Sequence, residues 1–256
     1  MIFIYAKKKN IIRIIVLLFI ISAGVILFKI DIAAVFYNNK KIPIYSVDTD
    51  TKKIAITFDI SLGEDNTEKI LKILKDNNVK ATFFVVGVWV DKYPEVLKKI
   101  CEEGHEIGNH TNKHPDMNQI KKTNLIADIE AADEKIKSIT GNTTELFRCP
   151  SGIYNNNILG TIKEINKVCI QWDVDSIDWR NDGEIIEYRR VISKVKPGSI
   201  ILFHNTGKYT PDNLIKIINK LQSEGYKFVI VSDLIYKSNY FINNEGKQIR
   251  NKDIVN

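Results

Sequence analysis

Cysteine is scarce in this 256-residue chain: Cys101, Cys149 and Cys169 are an odd number with no C-x-x-C pair. That excludes a disulfide framework and a zinc ribbon, and the thiols read as small buried hydrophobes. A nucleophilic part for Cys149 is conceivable, but the sequence places no partner base beside it. No strand candidate is followed by a glycine-rich phosphate fingerprint, which argues against a dinucleotide fold. No solenoid repeat is present. Basic clusters are missing as well: the net charge of +6 and pI near 9.0 come from residues spread along the chain, with Lys7, Lys8, Lys9 and Arg13 ahead of an apolar run. Without a basic patch or a recognisable module, no nucleic-acid partner is expected. The charge reads instead as a topology signal and a mild attraction to anionic surfaces such as a cell wall. Hydrophobic residues at 44% and charged residues at 27% are ordinary for a folded domain.

Residues Ile14 to Phe28 form an apolar run between Arg13 and Lys29, with a further apolar patch from Ile32 to Phe36. Basic residues followed by such a run are the order of a secretory signal or a signal anchor. Arg13 and Lys29 can snorkel to lengthen a span somewhat shorter than a bilayer needs. No A-x-A cleavage site follows, so the reading is an uncleaved, single-pass anchor in the cell membrane over residues 1–37, its partner the lipid bilayer, with the remainder extracytoplasmic. Secretion after cleavage is the alternative. A linker is expected over 38–52, one folded domain over 53–240, and a polar, frayed tail over 241–256.

From residue 53 the chain alternates short β-branched runs with amphipathic stretches. Strands are expected at Ile54–Asp59, Ala81–Val86, Glu106–Asn109, Glu145–Arg148, Val168–Trp172, Ser199–His204 and Lys227–Val231. Helices are expected at Thr67–Asn77, Tyr93–Glu103, Asn124–Thr140 and Pro211–Glu224, with Gly104 and Gly141 closing two of them. Repeated β/α units make a parallel sheet, here read as an α/β, distorted (β/α) barrel of about seven units.

The chemically capable residues gather at the C-terminal ends of these strands, the edge on which parallel β/α folds build active sites. Asp59 ends the first run, His110 follows the third, Arg148 ends the fourth, Asp175 and Asp178 follow the fifth, and His204 ends the sixth. His110 and His114, two of only four histidines, have a spacing that lets both imidazoles face one metal if the segment is helical or tightly turned. The plain alternative is a pair of surface histidines, since Pro115 would end a helix. Asp59 closes the apolar run IAITFD, where a carboxylate needs a partner such as Arg148 or a metal-bound water; otherwise it caps a loop. His204 ends SIILFH and is either a core histidine or, beside an acid such as Asp178, an imidazole held protonated as a general acid. His105 reads as structural.

From Ile54 to Asp233 the chain resembles the polysaccharide deacetylase family, also called the NodB-homology or carbohydrate esterase family four. The resemblance rests on Thr57-Phe58-Asp59, His110-Thr111-Asn112-Lys113-His114, Arg148-Cys149-Pro150-Ser151-Gly152, Asp175-Ser176-Ile177-Asp178-Trp179 and Ile201-Leu202-Phe203-His204, in the family's order. It implies a distorted β/α barrel and metal-dependent removal of acetyl groups from amino-sugar polymers, with peptidoglycan or a chitin-like glycan as substrate partner. His110 and His114 would hold a divalent ion, zinc or cobalt. Asp59 would act as base, oriented by Arg148, and His204 as acid, kept charged by Asp178. The backbone N–H near Ser151 would stabilise the oxyanion and Trp179 would wall the acetyl pocket, with Asp175 also counted among the substrate-binding residues.

One departure stands out. The family has a second, metal-ligating aspartate after the base, and this chain has Ile60, which cannot ligate. Asp65 is the tentative replacement, with Glu64 equally available. The wording Asp59-Ile60-Ser61 resembles a sporulation-associated subgroup with an N-terminal membrane segment, although Leu62 stands where that subgroup is expected to carry tryptophan. Two other readings compete: a glycan-binding pseudoenzyme that has lost its metal, and a hydrolase of a small ester or amide on a similar barrel.

Overall fold

The computed structural model describes residues 41–63 and 65–251, together with Phe19 and Ser22. The expected membrane anchor lies outside this range, and among the described residues no helix is long and apolar enough to cross a membrane. Ile42 begins a compact unit of its own, separate from residues 1–41.

The strands are β1 (Ser46–Val47), β2 (Lys53–Ile60), β3 (Thr82–Val85), β4 (Glu106–Asn109), β5 (Leu146–Phe147), β6 (Val168–Cys169), β7 (Val174–Asp175), β8 (Ile200–His204), β9 (Lys227–Phe228), β10 (Tyr240–Ile242) and β11 (Lys247–Arg250). In β2 every residue after Lys53 is buried, the near-continuous run expected of a parallel strand covered on both faces. The main sheet runs β6-β5-β4-β3-β2-β8-β7, with β9 pairing the start of β2, and all its pairings are parallel. Its edges, β6 and β7, are not paired with each other, so the expected barrel is a curled parallel sheet with an open seam. Phe58 at its centre stacks on Phe83 at 5.1 Å and Phe203 at 5.9 Å.

The helices are α1 (Thr67–Asp76), α2 (Gly87–Lys92), α3 (Pro94–Glu102), α4 (Lys122–Thr140), α5 (Asn156–Glu164), α6 (Glu184–Ile192), α7 (Thr210–Ser223) and α8 (Val231–Leu234). Four match the amphipathic stretches read from the sequence. In α1 the buried Ile70, Leu71 and Leu74 form one face, and Gly141 ends α4 in the left-handed conformation that glycine adopts without strain. The helices α2, α5 and α6 have no counterpart in the sequence reading. With only six residues, α2 is too short for periodicity to stand out. The cap of α5 was legible: the Asn155 side chain accepts from the N–H groups of Asn157 and Ile158.

Several boundaries differ from expectation: the seventh predicted strand stops at Phe228, and Val231 opens α8 instead. The fifth predicted strand stops at Cys169, beyond which Ile170 makes an isolated bridge to Ile44. The presumed linker and tail are paired rather than loose: β1 runs parallel to β11, and β10 and β11 form an antiparallel hairpin. Gln248, fully buried, exchanges side-chain hydrogen bonds with the backbone of Tyr236, which ties the hairpin to the domain. Polar composition suggested a frayed end, but here a polar side chain supplies the pairing.

Candidate active site

Asp59, His110, His114, Ser151, Asp175, Trp179 and His204 line one cleft of about 590 Å³ at the C-terminal edge of the sheet, with Ser61, Trp172, Leu202 and Thr206. Arg148 and Asp178 stand directly behind it.

The base arm begins with β2. Asp59 is nearly buried, and its Oδ1 accepts from the Arg148 guanidinium at 2.8 Å. That guanidinium is itself buried and fully engaged. It donates to Thr57 Oγ1 at 2.8 Å, to the Ile170 carbonyl at 3.3 Å and to the Gln171 carbonyl at 3.1 Å, and lies 4.1 Å from the centre of the Phe84 ring and 5.4 Å from that of Trp172. Such bonds and stacked rings let arginine replace its hydration inside a fold. Burial works to raise the Asp59 carboxyl, but the charge and hydrogen bond of Arg148, joined by His204, outweigh it and hold the group below the usual carboxylate range.

The acid arm is built across the neighbouring strand. Asp59 and His204 are register partners on β2 and β8. The His204 Nδ1 atom lies 2.7 Å from Asp178 Oδ1, while Asp178 Oδ2 accepts from the His204 N–H at 2.7 Å and from Thr210 Oγ1 at 2.8 Å. Burial pushes His204 down, and the hydrogen bond and charge of Asp178 more than offset it, so the imidazole keeps its proton above the ordinary 6.5. Ile177, just before Asp178, takes a left-handed φ of 52°, costly for a β-branched residue. Close packing continues behind: a Cβ on Gly207 would stand 2.2 Å from Thr210 Oγ1 and 2.7 Å from Asp178 Oδ2.

The H-x-x-x-H segment is a tight turn, not a helix, with left-handed Thr111 and His114. Asn109 and Asp128 hold it: Asn109 Oδ1 accepts the Thr111 N–H at 2.7 Å, and Asp128 Oδ2 accepts the Asn112 N–H at 2.6 Å. The two rings meet edge to face at 5.1 Å. His110 Nδ1 lies 2.9 Å from the Arg148 carbonyl, and its Nε2 lies 3.6 Å from Asp59 Oδ2. Burial pushes His110 down to about 4, so the ring is neutral at ordinary pH. An anchored Nδ1–H and a bare Nε2 lone pair are how a metal-binding histidine is oriented.

The third ligand position is not supplied. Ile60 is fully buried and packs in the core. The tentative ligand Asp65 does not line the cleft: its Oδ1 accepts the Thr67 N–H at 2.8 Å and its Oδ2 the Trp89 indole N–H at 2.7 Å, so it starts α1. An aspartate two residues ahead of a helical threonine forms this local turn readily, which explains the different outcome. Glu64 lies outside the described residues. Among the described residues, no group of three or more metal-ligating side chains is placed to hold an ion. The residues present fit a divalent ion on the imidazoles of His110 and His114, with other positions left to water or substrate.

The remaining predicted residues fall on the walls. Ser151 sits in a left-handed turn with φ 54°, and Trp179 is 60% exposed at the rim. Asp175 has both oxygens engaged, with the Trp172 indole N–H at 3.1 Å and the Ile177 N–H at 2.8 Å, and so shapes the wall. Cys149 is buried with its sulfur 3.8 Å from that of Cys169; that contact and burial raise its thiol well above its usual range, which removes it as a nucleophile. The sequence reading missed Thr57 as an arginine partner and Asn205, whose buried amide accepts the Ser61 N–H at 3.1 Å and donates to the Ser61 carbonyl at 3.0 Å. Thr57 lay within a quoted motif; nothing marked Asn205.

The profile of the polysaccharide deacetylase family matches residues 46–169. A peptidoglycan-N-acetylglucosamine deacetylase from Bacillus cereus is 35% identical over 73% of this chain and 69% of its own length. The uncharacterised protein YlxY of Bacillus subtilis is 33% identical over 75% of this chain, which spans only 60% of that relative. A solved Bacillus anthracis structure, described as a pseudoenzyme of carbohydrate esterase family four, superposes with a TM-score of 0.71 at 31% identity, over 75% of this chain and 68% of that one. This chain belongs to the polysaccharide deacetylase family, which is a family of hydrolases.

Proposed function

We propose that this chain hydrolyses the acetamide bond of an N-acetylated amino-sugar polymer, peptidoglycan before a chitin-like glycan, on the outer side of a membrane to which its apolar N-terminal run anchors it. The observation that carries the reading is the Asp59 and His204 pair. Two titratable groups on neighbouring strands have environments that drive them apart, one ionised and one protonated, which is the signature of an acid and base assignment.

In this scheme the substrate enters the cleft with its acetyl group between the two arms. Asp59, held by Arg148, takes the proton of a water as its oxygen attacks the acetyl carbonyl carbon. A tetrahedral oxyanion forms near the left-handed turn at Ser151, whose backbone N–H would stabilise it. With its Nδ1 proton held by Asp178, His204 gives its Nε2 proton to the leaving amine as the C–N bond breaks. A divalent ion on His110 and His114, zinc or cobalt, would supply polarisation of the carbonyl and acidify the water. Trp179 at the rim and Trp172 on the wall offer apolar faces to sugar and acetyl methyl.

Ile60 favours a second reading, a glycan-binding domain with little or no turnover, and a similar solved structure is described as a pseudoenzyme of this family. Acetate release from acetylated peptidoglycan and chitooligosaccharide, with zinc or cobalt added, separates the two. Release that depends on His204 supports the deacetylase; glycan binding without release at any metal concentration supports the second reading.

A further inference from the structure

Behind the acid arm lies a carboxyl group that the proposed mechanism leaves unused. Glu187, on α6, is 3% exposed, and neither of its side-chain oxygens has a hydrogen-bond partner among the described residues. The side-chain oxygen of its neighbour Asn213, in the first turn of α7, is equally buried and equally unpartnered, while the amide nitrogen of that side chain donates to the Glu184 carbonyl at 3.0 Å. Three buried acceptors with no donor are an unstable arrangement. One proton resolves it: a protonated carboxyl is a donor as well as an acceptor.

We propose that Glu187 is a positioning residue of the acid arm, carried in the fold as a neutral carboxylic acid that donates to the Asn213 side-chain oxygen, and whose ionisation places a second negative charge behind Asp178. This rests on the reading of His204 as the general acid. The link is short: Asn213 and Thr210 share the first turn of α7, and the Thr210 hydroxyl donates to Asp178 Oδ2 at 2.8 Å. Docking of α6 on α7 through Glu187 therefore fixes the hydroxyl that orients the acid's partner. Burial raises the Glu187 carboxyl; the Asn213 and Thr210 side chains and the Arg190 charge work against it and the Asp178 charge works with it, and the balance leaves the group pushed up to about 7. Of the other groups facing it, Thr210 and Asn213 come from α7, and Arg190 from its own helix is engaged with Asp182 Oδ2 at 2.5 Å. Above neutrality the Glu187 proton passes to solvent, and the added negative charge strengthens the hold of His204 on its own proton.

The test is NMR titration of the whole chain, which does not depend on turnover. The Glu187 side-chain carboxyl carbon of the unaltered protein should titrate near pH 7; an inflection in the ordinary carboxylate range would overturn the proposal. In Glu187→Gln, which keeps shape and a neutral donor, the midpoint of His204 should fall by about half a unit or more, with the melting temperature little changed. A lower melting temperature with an unmoved His204 midpoint would make Glu187 merely structural. Should the chain release no acetate while both NMR shifts are seen, the deacetylase reading fails, and what stands is the coupling of a neutral Glu187 to the Asp178–His204 pair.

Discussion

Asp59 and His204 face each other across β2 and β8, each held in its charged form by a buried partner, Arg148 for the first and Asp178 for the second. The consequences can be tested one partner at a time.

Replacing Asp178 with Asn keeps the shape and removes the charge. His204 has its proton affinity raised above 6.5, so what the pair contributes to stability is fully present below that pH and is lost as pH rises through the folded value. Denaturant melts of the native chain should therefore weaken as pH rises above His204's ordinary 6.5, and those of Asp178→Asn should be flatter there. The alkaline limb of acetate release should move to lower pH.

Arg148→Met leaves the Asp59 carboxylate buried without its cation, a loss of about 3–5 kcal/mol. Adding Asp59→Asn should recover part of it. A single variant as stable as the native chain in urea would mean that the ion pair carries little.

Asp59 has the opposite sign. Its affinity is lowered, so the stability it contributes is present above its ordinary 3.8 and disappears as pH falls through the folded value. Acid unfolding of Asp59→Asn should start from a lower stability at neutral pH but show a shallower decline.

Ile60→Asp puts a carboxylate where the core now packs. Without metal it should lower stability by about 3–5 kcal/mol; zinc at a hundredfold excess over Kd should return about 2.7 kcal/mol. A melting temperature indifferent to zinc would show that residue 60 does not reach the two histidines.

Gly207→Ala should damage the acid arm although it adds one methyl group, since its Cβ would overlap Thr210 Oγ1 and Asp178 Oδ2. The expected result is a fall in acetate release of about tenfold or more, with glycan binding retained.

Much of the site was legible because parallel strands deliver their last residues to one edge, so Asp59, Arg148 and His204 could be grouped from strand ends alone. The parallel sheet with outer helices followed from the same alternation, but the expected barrel does not close between β6 and β7. Hidden features depend on tertiary pairing: β1 and β11 join stretches about two hundred residues apart, and Asp65 was drawn into the turn that starts α1. The orphaned Glu187 could not be seen either, since a glutamate on an amphipathic helix reads as a solvated face until burial is known.

The most direct test of the central claim is acetate release from acetylated peptidoglycan by the whole chain with zinc or cobalt, measured beside Asp59→Asn and His204→Gln variants shown to be folded. The account predicts release by the native chain and a loss of about a hundredfold or more in each variant. Release undiminished in both variants, or none from the native chain at any metal concentration, would contradict it.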